Sequence, residues 1–444
     1  MRVHSAWQKL RDMRRGRLAE RRYTAFWGTL SGIFLIALLL AIAVEAWAQD
    51  AARPVPSPRN MAGGQEANAK AAQAPAEPLI IQIAGALAKG DSNAARRLVS
   101  RFLQESGLTA DSLLQIGVNL AQHDLYSEAS EVFRRCAKDH PEVFECYYNL
   151  SLAQLALQQP REALATLAKA PHVSPSEEVE RTYLRGKIEL ALEQDAEAER
   201  DLSAAFAAAP QEENFGLDLG LCNIRERKYQ PAAEVFRKAI GFQKNSTFLR
   251  LGLALAQYLG GLNAESVETS RSILTLQPDF SPARVMMAFA LYMDGRSDEA
   301  ARIAAQGLHD AHPFPYLYYV HAVSLLRLQS KDYDIIVNDL TLAAHSIPGC
   351  SLCYLALSKA HRRNDELGTA MADLQKAVEL DPTFAEAWYN LATIYEQAGR
   401  HAEAQLARHR FEELKENKAN RETEMLRDTF LKTLGGEGSR RKEP

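Results

Sequence analysis

The chain has 444 residues, 47% of them hydrophobic and 24% charged, with a formal net charge of −4, enough for one long array or two to three ordinary domains. Residues 1–48 hold eight Lys/Arg against three acidic residues, so everything after them is more acidic than the total suggests. Such a body attracts neither a nucleic-acid backbone nor an anionic membrane surface, and no nucleic-acid partner is expected.

Residues 1–25 form a basic segment, with Arg2, Lys9, Arg11, Arg14, Arg15, Arg17, Arg21 and Arg22. An apolar stretch, 26–48, follows, and Leu30 to Val44 within it carries no charge. Positive charge ahead of the run puts Met1 in the cytoplasm and the rest of the chain outside. Ala46-Trp47-Ala48 has the small-x-small pattern of a signal peptidase site, with cleavage between Ala48 and Gln49. The run also approaches the ~20 residues that cross a bilayer, so a retained single-pass anchor is a second reading. Export is expected on both. The protein is then periplasmic or secreted after cleavage, or held in an inner membrane through residues 26–48 alone. Residues 49–78 are rich in Ala and Pro and are expected to be a disordered linker.

From residue 110 a pattern recurs with a period near 34. Leu113, Tyr147, Thr182, Gly216, Arg250, Arg284, Tyr318, Tyr354 and Trp388 occupy one register position. Four residues on, every copy has a small side chain: Gly117, Ser151, Gly186, Gly220, Ala254, Ala288, Ala322, Ser358 and Ala392. Sixteen residues on there is another, except in the copy from Tyr318, which has two extra residues and Ile336 there. A proline closes most copies: Pro141, Pro175, Pro210, Pro278, Pro313, Pro348 and Pro382. Apolar positions at i, i+3 and i+4 predict two amphipathic helices of about 13 residues per copy. Small side chains let their axes approach, and the proline stops the second helix. One copy cannot bury its apolar face, so copies must stack.

These copies resemble the tetratricopeptide repeat. Trp388, Leu391, Ala392 and Tyr395 carry the first-helix pattern, and Tyr354, Leu357, Ala370, Leu374, Ala377 and Pro382 make the fullest single copy. Nine copies span 109–415, and 79–108 reads as an eroded copy before them, with Gly90, Ala95, Val99 and Phe102 in place. The resemblance implies an all-α, right-handed superhelical solenoid of nine to ten helix-turn-helix repeats. It also implies that the first helices line a concave groove for protein partners. By the family pattern, the groove-facing residues are Tyr148, Tyr183, Leu217, Leu251, Val285, Tyr319 and Tyr389, with Phe289 and Tyr292 further along one first helix. They either receive an apolar segment of a partner, with tyrosines as rigid anchors, or pack adjacent first helices together. The family's carboxylate clamp is not carried over. Asn149 and Asn390 match its asparagine, but Leu114 and Tyr148 stand where its basic partners would be. Residues 416–444 are expected to form a charged helix striped with Leu426, Phe430 and Leu434, capping the last repeat, and then a tail.

Five cysteines remain to be placed. Cys136 ends a second helix and Cys146 starts the next first helix, so a disulfide is geometrically possible in an oxidising compartment. Cys350-Ser-Leu-Cys353 is a C-x-x-C at a helix start. It is a structural disulfide or free pair, a redox-active pair favoured by the helix N-terminus, or a metal site with His345 or His361 whose spacing fits no common zinc pattern. Cys222, in mid-helix, reads as a small buried hydrophobe. No cofactor, metal or catalytic residue is assigned. The chain lacks a phosphate loop and the hydrolase motifs, and the repeats leave no segment long enough for a catalytic domain. Three functions follow: a protein-binding scaffold, a thiol-handling factor built on Cys350 and Cys353, or a structural spacer.

Overall fold

A computed structural model describes residues 77–171, 174–310, 313–414 and 421–435. The basic segment, the apolar run, the Ala48–Gln49 site and nearly all of the Ala/Pro-rich linker lie outside them, as do His172 and His312. Among the described residues there are 21 α-helices and no strand, and no helix is long and apolar enough to cross a membrane.

The helices come in ten consecutive hairpins. The first members are α1 (Glu77–Ala88), α3 (Ala110–Gln122), α5 (Phe144–Ala156), α7 (Pro175–Ala191), α9 (Glu213–Arg225), α11 (Thr247–Leu259), α13 (Ser281–Met293), α15 (Tyr316–Arg327), α17 (Ser351–Arg363) and α19 (Ala385–Gln397). Their partners are α2 (Ser92–Phe102), α4 (Tyr126–Asp139), α6 (Pro160–Leu167), α8 (Asp195–Ala208), α10 (Tyr229–Phe242), α12 (Asn263–Leu276), α14 (Ser297–Leu308), α16 (Tyr333–Ser346), α18 (Leu367–Leu380) and α20 (His401–Leu414). One unpaired helix, α21 (Arg421–Gly435), follows.

Local chemistry sets the boundaries. Ser174 caps α7 in a reciprocal box with Glu177, and Thr109 and Ser246 cap α3 and α11 through their hydroxyls. Pro141, Pro210, Pro278, Pro348 and Pro382 stand two residues past a second helix, where the missing N–H stops it. Pro175 behaves differently: it opens α7, because the first turn of a helix has no use for that N–H. Each hairpin turns through one residue with positive φ, in order Gly90, Asp124, Gln158, Glu193, Arg227, Gly261, Gly295, Gln329, Asp365 and Gly399. The left-handed residue recurs with the same spacing as the small side chains, including the long step into Asp365.

The small positions allow the close packing that their spacing predicts. A Cβ on Gly220 would meet Phe236 Cζ at 2.3 Å, and one on Gly117 would meet Phe133 Cε1 at 2.3 Å. The Phe236 ring also reaches the next hairpin, 2.5 Å from the Cβ position of Gly252, so one side chain fills two glycine notches. Successive hairpins are joined asymmetrically. Each first helix from α1 to α15 touches the next first helix, while no contact of that extent joins one second helix to another. The first helices therefore crowd onto one side of the array. Arginines stitch some of their C-terminal ends together: Arg225 donates to the Leu190 carbonyl at 3.1 Å, and Arg363 to the Leu326 carbonyl at 2.6 Å. Each of these carbonyls also accepts a turn N–H, from Glu193 and from Gln329, and the arginine adds a second donor at the helix end.

The last helix departs from expectation. The sequence placed it over the open face of the last repeat. The structure lays it back against α9 and α11, at the middle of the array. The reason is its stripe: Leu426, Phe430 and Leu434 are fully buried, and they join the apolar cluster of the central first helices rather than the smaller cluster around α19 and α20.

Candidate functional site

The residues assigned to a binding face divide into three environments. Leu217, Leu251, Val285, Phe289 and Tyr319 are buried in one apolar cluster that also contains Leu426, Phe430 and Leu434 of α21. Tyr319 stacks on Phe289 with ring centroids 6.0 Å apart. Tyr292 is also buried, with the Arg327 guanidinium 3.5 Å over its ring and donating to its carbonyl, so it serves contact between neighbouring first helices. Tyr183 is buried against Phe215 at 4.2 Å. At the flanks the same face opens: Tyr148 is half-buried beside Phe144, and Tyr389 is 55% exposed with Phe411 at 5.3 Å.

Polar groups line the part of this side nearest the N-terminus. The Tyr183 hydroxyl donates to Asp218, which Lys187 approaches at 3.1 Å while its ammonium also lies over the Tyr183 ring. Burial, then the Asp218 charge and its hydrogen bond, push the Tyr183 hydroxyl well above the ordinary phenol range. Glu180 is raised by burial and by the nearby carboxylates Glu177, Glu145 and Glu212. Burial and Glu180 push Tyr148 upward as well. Sequence reading missed this acidic group because Glu145, Glu180 and Glu212 lie ahead of the anchor in their copies. The signal was available, since Glu145 and Glu180 both stand two residues before an anchor.

α21 crosses the same side. Its apolar stripe faces inward, and Asp428 and Lys432 face solvent. Polar contacts surround the stripe. Arg421 reaches Asp381 at 2.8 Å and Thr383 at 3.0 Å, and its guanidinium lies 4.6 Å over the Phe384 ring. Glu424 pairs with Arg227 at 3.1 Å, and the Thr429 and Tyr316 hydroxyls share a hydrogen bond of 2.6 Å. Burial works to raise the Asp381 carboxyl, but the bonds from Arg421 and Thr383 outweigh it and leave it below its ordinary value.

The cysteines fall into two bridges and one free thiol. Cys136 and Cys146 are disulfide-bonded with Cα atoms 5.4 Å apart, tying the end of α4 to the start of α5. Cys350 and Cys353 are bonded with Cα atoms 5.3 Å apart, and Cys350 Sγ also accepts from the Cys353 N–H at the start of α17. Both of the latter residues are buried. Cys222 is free and buried, its thiol pushed up to about 12 by burial and Glu226, which keeps it protonated and unreactive. His361 pairs with Asp373 at 2.6 Å, and His345 Nδ1 lies 2.7 Å from the Thr341 carbonyl oxygen. Among the described residues no group of three His, Cys, Asp or Glu side chains is placed to hold a metal ion.

Comparison with known proteins finds the repeat in three segments of the chain. Three tetratricopeptide repeat family models match residues 183–246, 352–384 and 374–406. Among solved structures, a tetratricopeptide repeat protein from Parabacteroides merdae aligns at 17% identity over 56% of this chain and 98% of its own, with a TM-score of 0.43. MamA, residues 41 to the end, from Desulfovibrio magneticus aligns at 24% identity over 40% of this chain and 99% of its own, with a TM-score of 0.33. YrrB, described as a tetratricopeptide repeat protein with an unusual peptide-binding site, aligns at 17% identity over 44% of this chain and 97% of its own, with a TM-score of 0.34. No curated protein matches the chain.

Proposed function

Because the chain is a tetratricopeptide repeat protein, we propose that it is a non-catalytic scaffold that binds protein segments on its first-helix side, outside the cytoplasm. The observation that carries the reading is the run of apolar and aromatic side chains on that side, from Tyr148 to Tyr389, whose central part already buries an amphipathic helix. A surface that accepts one apolar helical stripe has the shape and chemistry to accept another. Aromatic side chains at the open flanks, Tyr148 and Tyr389, supply large contact areas at low entropic cost. The location outside the cytoplasm is supported by the basic segment ahead of Leu30–Val44 and by the two cystine bridges, which an oxidising compartment favours.

Thiol exchange is the weaker alternative. It needs an approach to Cys350 or Cys353, and both residues lie inside the core. The spacer reading predicts no partner at all. Photocrosslinking from position 389 in intact cells separates these. A scaffold gives a discrete protein adduct there and none from exposed Leu406 on a second helix. Equal labelling at both positions, or none at either, would favour the spacer. An alkaline phosphatase fusion after residue 76 tests location separately, since that reporter is active only after export.

A further inference from the structure

We propose that the central first helices are a receptor for an amphipathic helix of defined pattern and that α21 is its built-in occupant, displaced when a partner helix of the same chemistry binds. The pattern is bulky apolar residues at i, i+4 and i+8, with an arginine five residues ahead of the first. The inference rests on the scaffold reading and deepens it by naming the chemistry of the partner.

Three observations converge. First, α21 stands outside the repeat register. Every other helix packs on its neighbours in sequence, while α21 reaches back to helices that begin at Glu213 and Thr247. Second, its contact is built like a protein–protein interface, with a dry apolar centre and a polar rim. Leu426, Phe430 and Leu434 make the centre. Arg421 on Asp381 and Phe384, Glu424 on Arg227, and Thr429 on Tyr316 make the rim. Third, α21 keeps a solvent face of its own, with Asp428 and Lys432 exposed, so it lies on the array rather than within it. Removing it would open the apolar cluster on α9 and α11 that holds Leu217 and Leu251, in the register position that leaves Tyr389 exposed near the C-terminal end. A tethered occupant lowers the apparent affinity of any competitor by the fraction of time the site is empty. The partner must therefore bind more tightly than α21 or engage the open flanks as well.

The test uses the full-length chain and a fluorescein-labelled peptide of residues 421–435. Phe430→Asp in the chain should prevent α21 from seating, since it would bury an unpaired carboxylate among Leu and Phe. The expected result is peptide binding at least about 10-fold tighter to the Phe430→Asp chain than to the wild type, as the site changes from filled to free. The same peptide carrying Phe430→Asp should not bind. A Leu426→Asp chain gives a second release variant, and far-ultraviolet circular dichroism verifies that both keep their helices. Asp381→Arg should weaken the peptide, and Arg421→Asp in the peptide should restore it. A folded, released chain that binds the peptide no better than wild type overturns the inference, and leaves the scaffold reading to its own crosslinking test. Wild-type dimers with α21 crosslinked between copies would overturn it too, by placing a second molecule's helix in the site. Peptide binding to the released chain with no adduct at position 389 would keep α21 as the occupant of the site but overturn its displacement by a partner, and with it the scaffold reading.

Discussion

The central hairpins and those at the N-terminal flank share one register but not one surface. In α9, α11 and α13 the residues after the anchor, Leu217, Leu251 and Val285, are buried. In α5 the same position, Tyr148, is half-open beside Glu180, and in α3 Leu114 is half-buried as well. The repeat fixes which way a side chain points. Whether that side chain is core or contact surface depends on what else folds against it: α21 lies against α9 and α11, and no contact of that extent joins it to α5. The hairpin interiors differ less. Phe133 fills the notch at Gly117, and Phe236 fills those at Gly220 and Gly252.

The largest effect that would break this comparison is expected at Phe236. Phe236→Ala should cost about 3–5 kcal/mol, because it empties two notches at once and uncouples α9 from α11. Chemical denaturation should then show the array melting in two steps; a single unchanged transition would refute the shared-notch packing. Next in size is the bridge at the flank. Replacing Cys136 and Cys146 together by Ser removes a cross-link with a sequence separation of 10, worth about 2–3 kcal/mol by loop entropy. Amide exchange should quicken in α4 and α5 and stay unchanged in α11 and α13; uniform quickening would mean the array melts as one unit.

Smaller effects sharpen the register. Gly220→Trp should cost about 1–3 kcal/mol through overpacking on Phe236, while Glu197→Trp on an exposed second-helix position should cost little. In the Phe236→Ala background the Gly220 penalty should shrink, and additive costs would show that the two side chains do not meet. The smallest effect is a gain. Gln158 and Gln329 hold φ of 60° and 55° at hairpin turns where other copies have glycine. Gln158→Gly or Gln329→Gly should raise stability by about 0.5–1 kcal/mol, the left-handed strain relieved less the entropy of glycine. A loss of stability would show that the side chain is held by contacts that offset the strain.

Much of the architecture was legible because it is local and repeated. Each hairpin needs a small residue where helix axes cross and a stop before the next hairpin, and both recur at a fixed interval in the chain. Gly220 and Pro278 could be read this way from spacing alone. Pro175 was misread as a stop because a proline at a boundary looks the same from either side, and only the helix that follows shows it to be a start. The cover over Leu251 was not legible, and of the acidic group around Glu180 only the shared position of Glu145 and Glu180 was. Each joins residues from different copies or from outside the register, and periodicity carries no information about such pairs.

The sequence by itself determined the helical class, the register of the hairpins, the residues at their crossings and the cysteines near enough to bridge. These depend on interactions within a copy or between adjacent copies. Only the tertiary structure decided where α21 lies. Its stripe of Leu426, Phe430 and Leu434 is equally suited to the end of the array and to its middle. Hydrophobic burial has no direction of its own, so the choice went to the surface that also offers Asp381, Arg227 and Tyr316 to its rim.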